Sequence, residues 1–321
     1  MIRKIKSHIS RSKTIAILCH IHSDGDALCS SFALADILSA KGKEVVCILE
    51  EEPGEKYNFL NGKYVVFSDS LVKEFDMCIA VDCGDISRLG KRVEIFNKAK
   101  VTLNIDHHKT NNDFAMFNVV KPEYCAAAEV LAEFFEKIRF KLSDNAARLL
   151  YAGIMSDSGS LKYSNVRAET HVWVSKLLRY DFDHAEVNRL LFDSQTMGLV
   201  RLTGHIMNIV ECFENGLISF ISSDDPMLEE YGVEESEANA LINIPRKIKG
   251  AQIAIELKMR SGLVRASLRS NGRCDVNRVA ALFGGGGHEK AAGVTFNGKT
   301  MDEAKELLIK AATDELKRCG L

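Results

Sequence analysis

Six side chains able to bind a metal ion stand where apolar runs of this chain end. The run at 101–105 stops abruptly in Asp106-His107-His108. A carboxylate beside two imidazoles suits a divalent cation that accepts oxygen and nitrogen donors alike, such as manganese. The apolar stretch at 14–19 opens into His20-Ile-His22-Ser-Asp24-Gly-Asp26, where two carboxylates flank a glycine and can be aimed at neighbouring points. Capping of the next helix explains one of them but not His20 as well. His22 reads as a bystander. The run at 76–81 ends in Asp82-Cys-Gly-Asp85, with Asp82 placed like Asp106 and Asp85 left to turn chemistry. A helix over 143–155, opened by the capping residues Ser143-Asp144-Asn145, closes on Gly153-Ile-Met-Ser-Asp157-Ser-Gly159 and delivers a further carboxylate.

The resulting set is His20, Asp24, Asp26, Asp82, His107 and Asp157, with Asp106 and His108 adjacent. Carboxylates converging on one crevice repel, because like charges within about 4–6 Å disfavour ionisation. Two divalent cations remove that repulsion. A pair of metals about 3.5–4 Å apart can bind a bridging hydroxide and clamp a phosphoryl group for in-line displacement. Phosphate ester hydrolysis is the chemistry that suits the set.

Positioning these residues requires strand ends that meet. Strand-like runs at 14–19, 44–49, 76–81 and 101–105 alternate with helical periodicity at 27–41 and 91–98, the pattern of a parallel sheet with helices on both faces. Such sheets bind ligands at the carboxyl ends of their strands. Short helices are expected at 2–11, 125–140 and 167–180, and 185–213 also reads as helical. Trp173, Phe182 and Phe192 sit at core spacings. Farther on, strands at 217–222, 251–259, 263–268 and 292–296 mix with helices at 235–241, 275–283 and 301–318, giving a smaller α/β domain. The expected division is a catalytic domain at 1–184, a helical linker at 185–199 and a substrate-binding domain at 200–321.

In that second domain, Gly284-Gly285-Gly286-Gly287-His288 lets backbone come close to a ligand and present N–H groups to a phosphate. Arg269, from a nearby strand, makes an anion pocket with it. Lys247 and Lys249 read as a solvated loop, and Arg265 and Arg273 as surface charges.

With 321 residues, 46% of them hydrophobic and 27% charged, the chain suits two globular domains. A net charge of -2 argues against a general polyanion binder and disfavours long duplex nucleic acid. Nine cysteines without a C-x-x-C pair read as reduced thiols. No apolar run approaches a membrane span, and the apolar stretch after the basic residues 1–13 is too short for a signal peptide. A cytoplasmic protein with no membrane partner is expected.

His20-x-x-x-Asp24-x-Asp26, Asp82, Asp106-His107-His108 and Gly153-x-x-x-Asp157-x-Gly159 appear in the order found in the DHH phosphoesterases, which the chain resembles. Arg269-Ser270, the glycine run with His288, and Ala291-Ala292-Gly293 look like the DHH-associated domain, so the resemblance covers nearly the whole chain. In length and layout it is nearest the nanoRNases that also dephosphorylate 3'-phosphoadenosine 5'-phosphate (pAp). The resemblance implies a site in the cleft between two α/β domains and a pair of Mn²⁺ ions, with Mg²⁺ or Co²⁺ as substitutes. His20, Asp24 and Asp82 would hold one ion, and Asp26, Asp82, His107 and Asp157 the other. His108 would lie beside the scissile phosphate, with Asp106 orienting an imidazole. Arg269, Gly285, Gly286, Gly287 and His288 would grip the substrate's terminal phosphate or nucleotide. Short single-stranded RNA and pAp are the implied substrates, a homodimer being left open. Ser23, Cys29 and Ser158 replace the family's usual proline, glycine and threonine without removing a ligand. Alternative readings are a phosphodiesterase of linear or cyclic dinucleotides (pApA, pGpG, cyclic di-AMP), a related pyrophosphatase, and a nucleotide-binding regulator with a silent site.

Overall fold

Short β-branched runs joined through helices cannot pair as hairpins, and in the first part of the chain they pair in parallel. The computed structural model describes Met1–Leu321 and separates into two units, Met1–Ser194 and Gln195–Leu321. In the first, strands β1 (Thr14–Leu18), β2 (Glu44–Leu49), β3 (Val65–Val66), β4 (Met77–Val81), β5 (Thr102–Asp106) and β6 (Phe117–Val120) form one sheet in the order β3-β2-β1-β4-β5-β6. Every pairing is parallel. The strand order reverses between β1 and β4, and the crevice at such a reversal is where open α/β sheets bind ligands.

Alternate strand residues feed two cores. Ile15, Ile17, Ile79 and Leu103 pack with helices α1 (Ile2–Arg11), α2 (Gly25–Ser39), α4 (Ala127–Ile138) and α5 (Asp144–Asp157). Ala16, Leu18, Cys78 and Ala80 pack with α3 (Val93–Lys98) on the other face. Helices α6 (Ala168–Leu177) and α7 (His184–Phe192) complete the unit. Trp173 and Phe182 pack against the first core, while Phe192 is partly exposed.

The second unit is a mixed sheet, in the order β11-β12-β10-β9-β8-β7. Its strands are β7 (Glu211–Phe213), β8 (Ile218–Ser223), β9 (Ile253–Arg260), β10 (Leu263–Ser270), β11 (Gly286–His288) and β12 (Ala291–Phe296). Only β8 and β9 pair in parallel. Helices α12 (Val276–Ala281) and α13 (Met301–Arg318) build the core on one face. Helix α8 (Met197–Asn208) packs on Ile221 of the other, with α9 (Asp225–Tyr231), α10 (Glu235–Ala238) and α11 (Asn243–Arg246).

The helical expectation for 185–213 needs correction. The helix breaks after Phe192, restarts when Thr196 accepts a hydrogen bond from the Leu199 N–H, and gives way to edge strand β7, where Phe213 packs into the sheet core. The glycine run is not a free turn either. Gly286–His288 forms β11, which lies so close to β12 that a Cβ on Gly287 would stand 2.4 Å from the Ala291 carbonyl oxygen, and its φ of +151° independently selects glycine.

Candidate metal centre

Strands β1, β4 and β5 are neighbours, so their carboxyl ends bring three of the four sequence motifs together. The fourth arrives with α5, whose Gly153 admits the close crossing: a Cβ there would lie 2.7 Å from both Ala128 Cβ and Asp26 Oδ1. Asp157, at the last turn of α5, thereby faces the strand ends. Asn165 fastens that turn by donating to the Asp157 and Cys125 carbonyl oxygens, at 3.1 and 3.3 Å.

Each side chain is held by a second contact that fixes what it presents. The His20 Nδ1 lies 2.7 Å from the Ile21 carbonyl, which leaves Nε2 facing Asp24 Oδ1 at 3.9 Å and Asp82 Oδ2 at 3.6 Å. His107 Nδ1 lies 3.2 Å from the Tyr124 carbonyl, and its Nε2 is 3.3 Å from Asp82 Oδ1 and 3.4 Å from Asp157 Oδ2. Asp24 does cap α2, accepting from the Ala27 N–H at 3.1 Å, and faces His20 as well. Asp26 is fully buried and accepts the Ala127 and Ala128 N–H groups at 2.5 and 3.0 Å. It thus serves the start of α4, which has no side-chain cap of its own. Asp82 adopts a left-handed conformation, φ 54°, immediately after β4. Aspartate tolerates that region better than most residues with a Cβ, and the conformation turns its carboxylate off the strand end.

The donor atoms fall into three overlapping sets, each with its atoms within 4.8 Å of one another: His20, Asp24, Asp82; Asp26, His107, Asp157; and Asp82, His107, His108. Asp82 and His107 each belong to two. Electrostatics show the strain of that packing. Burial and then the charge of Asp82 push the Asp26 carboxyl up to about 7. Burial, Asp26, Asp24 and Asp82 likewise raise Asp157 well above the usual carboxylate range. Burial opposes charge on His20, yet hydrogen bonds with Asp24 and Asp82 raise it to about 11. The cluster therefore pulls in positive charge, whether protons or metal ions.

Asp106 is buried, with Oδ1 2.7 Å from His108 Nδ1. Its other oxygen accepts from Asn111 Nδ2 at 2.6 Å, and the same amide donates to Asn104 Oδ1 at 2.7 Å. Asn104 and Asn111 were not expected from the sequence. The available signal was Asn104 itself, a buried polar residue in an apolar strand. Two expected bystanders lie outside the sets: His22 pairs with Glu51 on the surface, and Asp85 accepts from the Ser87 N–H at the start of a 3₁₀ turn.

In the second unit, Arg269 is opposite Ala291 and Ala291 is opposite His288, one row across β10, β12 and β11. Residues paired in this way project from the same face of a sheet, so Arg269 and His288 flank a small residue. Gly285, Gly286 and Gly287 run along the adjacent edge. Lys247 and Lys249 are exposed, matching the expected solvated loop.

Residues 14–154 match the DHH family, N-terminal domain, and residues 214–318 match the DHHA1 domain. Over 310 residues the chain is 31% identical to a Thermus thermophilus protein named bifunctional oligoribonuclease and PAP phosphatase NrnA, covering 95% of this chain and 91% of that one. The chain belongs to the DHH family. Its DHH fold is shared with an exopolyphosphatase-related protein from Bacteroides fragilis, at a TM-score of 0.92 and 24% identity over 98% of this chain and 95% of that one. RecJ from Thermus thermophilus, crystallised in complex with Mn²⁺, is similar at a TM-score of 0.58 and 14% identity, covering 97% of this chain and 55% of RecJ. No helix is long and apolar enough to cross a membrane.

Proposed function

We propose that this protein is a metal-dependent phosphoesterase that degrades short oligoribonucleotides to nucleoside monophosphates and dephosphorylates pAp to AMP. The observation that carries the reading is the set of overlapping donors around Asp82 and His107 at the switch point of the sheet. The residues fit a pair of cations: Asp82 is buried, and its Oδ1 has no hydrogen-bond partner, an expensive state for a carboxylate unless a cation meets it. Mixed carboxylate and imidazole donors suit Mn²⁺, with Mg²⁺ or Co²⁺ as substitutes. His20, Asp24 and Asp82 would hold one ion, and Asp26, Asp82, His107 and Asp157 the other. When bound, the pair supplies charge neutralisation at the phosphoryl group and a water made acidic enough to attack near neutral pH.

The protein's own groups do the rest. His108, gripped at Nδ1 by Asp106, is left with Nε2 to hold a proton toward the leaving oxygen. Asp106 stabilises the charged imidazole and fixes its ring. Arg269, the backbone of Gly286 and Gly287, and His288 bind the terminal phosphate, a guanidinium and backbone donors being well matched to phosphate oxygens. Gly285, whose N–H donates to the Ala280 carbonyl oxygen at 3.0 Å, shapes the turn that leads into them. In this reading residues 1–184 are catalytic and 200–321 bind substrate. Nine free cysteines support a reducing, cytoplasmic setting.

The test is hydrolysis by purified protein with added Mn²⁺, side by side on pAp, pApA, pGpG, a five-nucleotide RNA and cyclic di-AMP. Mononucleotides from the linear RNAs together with phosphate from pAp are expected. Activity confined to dinucleotides, or extending to the cyclic one, would replace this reading with second-messenger turnover, and none at all would leave a nucleotide-binding regulator.

A further inference from the structure

The 3₁₀ segment Glu55–Leu60 brings two residues to the metal centre that no motif singles out. The ring of Tyr57 lies against Gly25, between Asp24 and Asp26: a Cβ on Gly25 would stand 3.4 Å from Tyr57 Cε1. Burial, and then the charge of Asp24, keep the Tyr57 phenol neutral by raising its ionisation far above the ordinary range. The Lys56 ammonium rests over that ring, 4.6 Å from its centroid. Although Lys56 as a residue is exposed, crowding around its charged end lowers its basicity, with Asp24 working against the shift.

A structural lysine within the field of the Asp24 carboxylate would be expected to pair with it. Lys56 pairs with no carboxylate within 4.0 Å, its nearest named partner being an aromatic face. A cation over a ring at an accessible site is held only weakly. A charge-assisted hydrogen bond is stronger, so a phosphate oxygen arriving there would win the ammonium from the ring. The expected metal ligands are acidic and imidazole only, so they include no permanently cationic side chain to meet a phosphate oxygen.

We infer that Lys56 is a substrate-contacting residue, its ammonium taking a phosphate oxygen of the nucleotide at the metal centre while Tyr57 holds it in position. This rests on the phosphoesterase reading and adds to it a residue that binds substrate without binding metal.

The experiment compares full-length wild type, Lys56→Ala, Lys56→Arg and Tyr57→Leu, each loaded with Mn²⁺. Steady-state kinetics are measured on pAp and pApA, AMP affinity by calorimetry, and Mn²⁺ affinity by separate titration. For Lys56→Ala, KM and the AMP dissociation constant should rise about tenfold or more, the loss of one charge-assisted contact. Mn²⁺ affinity should not fall, Lys56→Arg should recover most of the loss, and Tyr57→Leu should lie between. KM and AMP affinity within about twofold of wild type in Lys56→Ala would overturn the inference, as would a weakened Mn²⁺ affinity, which would make Lys56 part of the metal centre. Wild type inactive on both substrates would overturn the phosphoesterase reading alone, because AMP binding still reports on Lys56.

Discussion

Strand β4 carries a carboxylate at each end, and the two are opposites. Asp76, just before the strand, is saturated with donors: the Lys13 and Thr14 N–H groups at 2.8 and 3.2 Å and the Lys100 ammonium at 3.0 Å. Asp82, just after it, is more deeply buried, yet its Oδ1 receives no hydrogen bond and three imidazoles crowd around it. Burial alone would push Asp82 up, but His107 and His20 hold its carboxyl far below the usual range. A carboxylate that serves the fold is finished by the fold's own donors. The one we propose to meet a metal is desolvated, aimed and left incomplete.

The largest effect should come from making the two ends alike. Asp82→Asn keeps the shape but removes the charge shared by two donor sets. Turnover of pAp should fall on the order of a thousandfold, about three steps of 1.36 kcal/mol. Bound manganese measured by mass spectrometry should drop with it, while AMP binding persists. Near-wild-type turnover with excess Mn²⁺ would end the idea that this carboxylate waits for a cation.

This contrast also explains what could be read in the sequence. His20, Asp24, Asp26, Asp82, His107 and Asp157 were legible because each interrupts an apolar run or helix end, where a polar residue needs a reason. The parallel sheet was legible from the alternation of runs and helices. Asn111 was not, since one amide in a polar loop looks like any other, and its role appears only when the loop folds back on Asp106. Lys56 and Tyr57 were hidden similarly, sitting in a turn whose approach to Gly25 is a tertiary event. The short strands β6 and β11 carry too few residues to show a period, and 211–213 extended a helical pattern until pairing with β8 made it a strand.

A smaller effect sharpens the comparison from within the site. Asn111 finishes Asp106 as Lys13 and Thr14 finish Asp76, so Asp106 belongs with the saturated carboxylates although it stands among the unsaturated ones. Asn111→Ala should lower turnover about 10- to 100-fold, the usual cost of losing an outer partner. Manganese content should stay at the wild-type level. Loss of metal in this variant would move Asp106 into the metal-binding group.

The smallest effect belongs to the other end of the strand, and it concerns stability and pH. The Asp76 carboxyl is held below the usual carboxylate range, first by the Lys13 N–H, then by the Lys100 ammonium and the Thr14 N–H. A carboxyl depressed on folding contributes stability that is fully present above its unfolded value, about 3.9, and is lost as pH falls through the folded value. Asp76→Asn keeps the geometry but weakens those three acceptor contacts. With Asp76 partly open to solvent, the cost at pH 7 should be about 1 kcal/mol. Urea midpoints should show wild type ahead of the variant at pH 7 and the gap narrowing as pH falls from about 4 toward the depressed folded value, because the unfolded chain protonates Asp76 while the folded one still holds it ionised. Turnover at pH 7 should be unchanged, because nothing at this end of β4 reaches the donor sets. A gap constant down to pH 2 would show that the carboxylate's charge is not what ties β1 and β4 together there, and Asp76 would then be no more complete than Asp82.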